Sequence, residues 1–143
     1  MKSTASAVWE GGLKDGNGTI SAGGGAFNDT PYSFARRFES SDVPGTTPEE
    51  MIAAAHASCF AMATSSALGN AGFKPVRLAV TATVNMQPVD GKPTILGSHL
   101  ELTATIPGID HAKFLEIADG AKTGCVISRA LKVPVTLEAT LGG

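Results

Sequence analysis

Between Met51 and Leu68 nearly every side chain is apolar or small and none is charged. No face of a helix there can be assigned to water, so this element is expected to be buried on all sides. Its start is marked by Thr47 as cap, Pro48 at the first helical position and Glu50 three residues after the cap, and Gly69 marks its end. At about 1.5 Å per residue such a rod is about 30 Å long, the width of a small domain.

On either side of this rod the period changes. Ser3 to Gly11 alternate loosely around Trp9, the cluster Lys14-Asp15-Gly16-Asn17-Gly18 has turn chemistry, and Thr19-Ile20-Ser21 follows, which predicts a hairpin. Pro31 to Glu39 carries Tyr32, Phe34 and Phe38 at alternating positions and reads as a third strand with one aromatic face. On a strand Arg36 and Arg37 point to opposite faces, so only one of them can serve a given site. Beyond the rod, Val76 to Met86 alternate, Asp90-Gly91 turns the chain, and Leu96 to Ile106 alternate on the way back. Pro107-Gly108 breaks this hairpin, Asp110 caps a helix through about Lys122, and Gly124 stops it before Cys125. A short helical turn over Val126 to Leu131 then leads into a last strand over Val133 to Leu141. The order βββ-α-ββ-αα-β predicts an α+β fold, antiparallel strands around a long buried central helix, in a single domain over residues 1–143.

Composition narrows the function classes. The chain of 143 residues carries a net charge of −2 with a pI near 5.9, and its lysines and arginines are scattered. Neither nucleic acid nor a membrane surface is an expected partner. The N-terminus lacks the apolar stretch of a secretory signal, and the central helix is rich in Ala, Ser and Thr with His56 inside it, which argues against a membrane span. A cytoplasmic protein is expected, in which two cysteines are thiols or a redox pair rather than a permanent staple. The run Ala22-Gly23-Gly24-Gly25-Ala26 has no Lys-Ser/Thr after it and reads as a flexible connection, not a phosphate loop.

Cys59 lies near the middle of the apolar helix and Cys125 follows a glycine at a helix–helix junction. A buried cysteine is by default a small core side chain, and Cys125 can equally be a buried cap. At a helix start, however, N–H groups stabilise a thiolate. A buried thiol with a second thiol at a junction is what a peroxide-reducing, disulfide-forming cycle requires, although spacing alone does not bring the two together. His56 and Cys59, three residues apart, suggest a thiolate–imidazolium pair or half of a zinc site. Zinc needs further ligands from His99, His111 or Cys125 at no recognisable spacing, so no metal is expected and His56 reads as a satisfied core histidine. Glu49 and Glu50 both suit the first turn of a helix; capping accounts for Glu50 and leaves Glu49 free.

Pro31-Tyr32-Ser33-Phe34 with Arg37-Phe38-Glu39, Gly45-Thr46 with Pro48 to Ile52, Ala54 to Ala57 with Cys59-Phe60, Pro107 to Asp110, and Gly124-Cys125 with Ser128 together resemble the OsmC branch of the OsmC/Ohr family of thiol-dependent peroxidases. The resemblance runs over nearly the whole chain. Its one visible departure is Val126, where the branch usually has proline. It implies Cys59 as the peroxidatic thiol, Cys125 as the resolving thiol, Arg37 as the guanidinium that holds the thiolate and Glu49 as the carboxylate paired with Arg37. The implied activity is reduction of organic hydroperoxides, alkyl or lipid, to alcohols, without metal or flavin cofactor, reset by an external dithiol such as a lipoylated protein. Free cysteine ionises near pH 8.5, so a buried Cys59 needs a cation such as Arg37 to act as nucleophile. Met51, Ile52, Phe60 and Phe114 are candidates to receive an organic tail. The rival reading is a non-catalytic, stress-associated binding domain in which both cysteines are structural.

Glu49 and Cys59 are ten residues apart on one helix, or about 15 Å. Either Arg37 spans that gap or the partners come from a second subunit. A helix apolar all round, which a three-stranded sheet can hardly cover, favours the second and predicts an intertwined homodimer with active sites at the interface.

Overall fold

The loosely alternating first residues and the turn cluster after them form the expected hairpin, and the computed structural model describes residues 1–142 of the chain. These gather into two compact units, Met1–Met51 and the residues from Ile52 onward. In the first unit, β1 (Ala5–Glu10), β2 (Asn17–Ala22) and β3 (Thr30–Tyr32) make an antiparallel sheet in that order. Trp9, Gly18 and Tyr32 lie side by side across it. A Cβ on Gly18 would fall 2.4 Å from the Tyr32 ring and 2.6 Å from the Trp9 ring, so the bare backbone is what lets those rings meet, with centroids 5.4 Å apart.

The strand expected to reach Glu39 stops at Tyr32. Ser33 accepts a hydrogen bond from the Arg36 N–H at 3.1 Å and opens a short helix, α1 (Phe34–Phe38). Residues 32 and 34 fit a strand, but 34 and 38 fit a helix equally well, and the serine cap decides between them. Phe34 and Phe38, one turn apart, bring their rings to 5.0 Å.

The long helix α2 (Pro48–Asn70) starts and ends within a residue of expectation. The Thr47 hydroxyl accepts from the Glu50 N–H at 3.0 Å, completing one half of the predicted capping box. The other half is missing, because the Glu50 carboxylate is taken by Arg36 and by the Thr46 hydroxyl.

The second unit holds β4 (Arg77–Val89) and β5 (Lys92–Thr105), an antiparallel pair turned by Asp90 and Gly91, both with positive φ. From the end of β5 the chain passes through α3 (His111–Gly124), capped by Asp110, and α4 (Val126–Ala130). It returns as β6 (Val135–Leu141), which lies parallel to β5 from Ser98 opposite Val135 to Ala104 opposite Leu141. Strand direction is therefore not antiparallel throughout: helices between two neighbouring strands of a sheet carry the chain back to the end where it began, and that makes the pair parallel. Leu100, Leu102 and Ala104 on one face of β5, with Ile106 just beyond it, pack with Phe114, Ala118, Ala121 and Cys125 of α3 and its junction, and with Phe60 and Leu68 of α2.

Burial of α2 on all sides is not found within one chain. His56, Phe60, Thr64 and Leu68, each four residues from the next, form its buried stripe, whereas Ala54, Ser58, Ser65 and Met62, the last 76% exposed, face outward. One sheet and one helical layer cover only one side of a rod. The helix has the length and mean hydropathy, 1.3, to cross a membrane. Its buried stripe nevertheless includes a histidine and forms part of the core of the second unit.

Candidate active site

The structure places two of the four expected residues, Arg37 and Glu49, in the first unit and the other two, Cys59 and Cys125, in the second. In the first unit the Arg37 guanidinium grips Glu49 with two nitrogens, Nη2 to Oε1 at 2.5 Å and Nε to Oε1 and Oε2 at 3.1 and 3.2 Å. Burial pushes the Glu49 carboxyl up, but hydrogen bonds from Arg37, the backbone and Thr47, with the arginine's charge, outweigh it and hold the carboxyl below its usual range. The neighbouring Arg36 pairs with Glu50 and with the Ser41 carbonyl. The expectation that only one arginine can serve a site assumed a strand. On a helix, neighbours are about 100° apart, so Arg36 and Arg37 both reach the first turn of α2, each to its own glutamate.

Beside Arg37 is a cleft of about 210 Å³ lined by Trp9, Leu13, Tyr32, Ser33, Phe34 and Phe38. The expected candidates for an organic tail are different residues, and two of them, Phe60 and Phe114, are fully buried core. The signal for the cleft was present in the chain, since five of its eight aromatic residues precede residue 39. Folding turns four of them, Trp9, Tyr32, Phe34 and Phe38, into one wall around an arginine.

In the second unit Cys59 and Cys125 are free thiols, Cys125 being 1% exposed in the core cluster against which Cys59 packs. Cys125 stands between two helices, its N–H bonded to the Ala121 carbonyl at 2.9 Å and its own carbonyl accepting from Arg129 N–H at 3.0 Å. Burial pushes its thiol up. The Ser128 N–H, the Cys59 sulfur, the Ser128 hydroxyl and the Ile127 N–H together reverse that and leave the thiol below its ordinary value.

His56 is the satisfied core histidine expected. Nδ1 lies 2.7 Å from Ser98 Oγ and Nε2 2.7 Å from Ser128 Oγ, so both nitrogens are engaged by serines, and burial keeps its pKa below 6.5. A neutral ring held this way forms no imidazolium pair with Cys59. The other histidines considered for zinc are engaged otherwise: His99 bonds Thr136, and the His111 ring lies tilted against Phe114 at the start of α3. Among the described residues the donor set closest to a metal site is His99, Glu101 and Glu138, with ligand atoms within 4.8 Å of one another, and both glutamates are exposed.

The family model described as OsmC-like protein matches residues 39–140. The chain belongs to the OsmC family. Among this OsmC-family chain's relatives is the peroxiredoxin OsmC of Escherichia coli, 45% identical over 135 residues, which cover 94% of this chain and 93% of that protein. An organic hydroperoxide resistance protein of Xanthomonas axonopodis is 27% identical over 114 residues, 79% of this chain and 78% of that one. The crystal structure of an organic hydroperoxide resistance protein from Elizabethkingia anophelis has the same fold, with a TM-score of 0.72 at 23% identity, covering 98% of this chain and 96% of that one.

Proposed function

We propose that this OsmC-family chain reduces organic hydroperoxides to alcohols by a two-cysteine cycle. The observation that carries the reading is the presence of two free thiols at one core cluster of the second unit, Cys125 within it and Cys59 packed against it, with Cys125 in surroundings that favour its thiolate. The Cys59 thiolate attacks the terminal oxygen of the hydroperoxide, the O–O bond breaks, and the alkoxide leaves and takes a proton to become the alcohol. Cys59 is left as a sulfenic acid. Cys125 sulfur then attacks Cys59 sulfur, water departs, and the disulfide forms. An external dithiol, such as a lipoylated protein, returns two electrons and resets the pair.

In this reading Arg37 supplies the cation that sustains the Cys59 thiolate, and Glu49 fixes the plane of its guanidinium. The aromatic cleft beside Arg37 suits an organic tail better than hydrogen peroxide. We also assign the chain a homodimeric state, supported by the uncharged outward stripe of α2 around Met62. Names of two relatives, a peroxiredoxin and an organic hydroperoxide resistance protein, support the peroxidase reading.

Thiol titration tests it. One equivalent of an alkyl hydroperoxide is expected to consume two thiols per chain rapidly, with one alcohol formed, and Cys125→Ser is expected to abolish dithiol-driven turnover. Retention of both thiols identifies a binding domain with structural cysteines instead.

A further inference from the structure

The two-cysteine cycle makes no use of His56, although three elements converge on it. The ring is 0% exposed, with Nδ1 2.7 Å from Ser98 Oγ of β5 and Nε2 2.7 Å from Ser128 Oγ of α4. An apolar side chain would fill the same space without the desolvation cost of an imidazole, so packing alone does not require a histidine there. A neutral imidazole has one donor and one acceptor nitrogen, and a serine hydroxyl can answer either, so both bonds are made in either tautomer. Position along the chain gives the second bond its meaning. His56 precedes Cys59 by three residues on α2, and Ser128 follows Cys125 by three in α4, so each partner stands about one helical turn from one of the two thiols. The bond therefore pins the turn that carries one sulfur to the turn that carries the other. Helix α4 has little else to hold it in place: it is five residues long, buries no residue fully, exposes Val126 and packs Ile127 against the core.

We propose that the His56–Ser128 hydrogen bond is a staple that sets how Cys125 meets Cys59, both of its members acting as positioning residues for the disulfide step. The proposal rests on the peroxidase reading for the sulfenic acid that this step consumes. Cys125 sulfur attacks Cys59 sulfur, the S–S bond forms, the Cys59 S–O bond breaks, and the departing hydroxide leaves as water with the Cys125 thiol proton. The staple takes no proton and no electron. What it supplies is proximity: two thiols held at one place react as if at high concentration, and an α4 free to swing gives that up. Ser98 serves differently. Strand β5 carries no cysteine, so its bond steadies the ring from the other side without linking the two sulfurs. The two bonds have equal length and share one buried ring, and loss of either leaves a ring nitrogen without its partner. Ser98→Ala is thus the matched control for Ser128→Ala.

The test compares Ser128→Ala, Ser128→Thr and Ser98→Ala with the parent chain. Loss of the first and second thiol is timed after one equivalent of alkyl hydroperoxide, and the Cys59–Cys125 disulfide is equilibrated against mixtures of reduced and oxidised dithiothreitol. Ser128→Ala is expected to lower the ratio of second to first rate about tenfold and the disulfide's equilibrium constant about tenfold, which is a shift of about 30 mV in its potential. Ser128→Thr restores both. Ser98→Ala stays within about twofold of the parent in both, although its melting temperature falls as far as that of Ser128→Ala. Equal changes in the two alanine variants, or none in Ser128→Ala, overturn the proposal. Should Ser128→Ala fail to fold, the parent chain still decides: His56 Nε2 should keep the nitrogen resonance of a hydrogen-bonded ring in both the dithiol and the disulfide form, and its loss in the disulfide form overturns the staple. If the parent chain loses no thiol to hydroperoxide while the dithiothreitol equilibria separate the variants as stated, the peroxidase reading fails and the staple stands. A parent chain that forms no Cys59–Cys125 disulfide at any dithiothreitol ratio overturns the staple itself.

Discussion

Arg37 holds Glu49 through two nitrogens, and that fork cannot be copied by a lysine of equal charge. Arg37→Lys is therefore expected to slow the first thiol loss to hydroperoxide by about tenfold or more, since a charge-assisted pair is worth ~1.5–3 kcal/mol and 1.4 kcal/mol is one decade. Stopped-flow thiol loss checks it, and a rate within twofold of the parent removes Arg37 from the mechanism. Acid acts on two residues in turn. His56 is kept neutral by burial, so the unfolded chain binds a proton from pH 6.5 downward that the fold refuses, and stability falls in that range. Glu49 is held below 4.5, so its stabilisation is complete above pH 4.5 and lost as pH drops through its lower folded value. Melting temperature against pH should lose its decline below 6.5 in His56→Gln and become shallower below 4.5 in Glu49→Gln. The ion pair of Arg37 with Glu49 was legible through the motifs that carry the family resemblance. The partners of His56 were not, because Ser98 and Ser128 lie 42 and 72 residues away, and no local pattern encodes a meeting at that range.

At the level of elements, long runs with one period read correctly, and the short run at Phe34–Phe38 did not. The β4–β5 hairpin and α2 have enough residues for their pattern to outvote local ambiguity, whereas Phe34–Phe38 has five, and alternation there coincides with helical spacing. What decides α1 is Ser33, so Ser33→Ala should cost about 1 kcal/mol in denaturant unfolding and release the helix that carries both arginines. The same variant should slow hydroperoxide consumption; an unaltered rate would mean that α1 does not position Arg37. The direction of β6 was illegible for another reason. Alternation reports which face a residue occupies but not which way the strand runs, and only the path through α3 and α4 settles that.

For the molecule as a whole, α2 leaves an outward stripe with no charge from Met51 to Asn70, centred on Met62. A second copy of the chain is the proposed cover. Met62→Glu places an anion in that seam and should convert a dimer at micromolar concentration into monomers in sedimentation velocity. A parent chain that already sediments as a monomer would dispose of the dimer. The parallel seat of β6 against β5 also bears on how the protein is made. Cys125 lies on a connection whose far end is fastened only when Ser98 N–H reaches the Pro134 carbonyl and the strand after it docks. On a ribosome the hairpin of β4 and β5 emerges well before that strand, so the sulfur at 59 is translated, and exposed to oxidant, long before its counterpart is secured. Under the proposed two-cysteine cycle, a nascent or truncated chain is expected to overoxidise at Cys59 more readily than the finished protein.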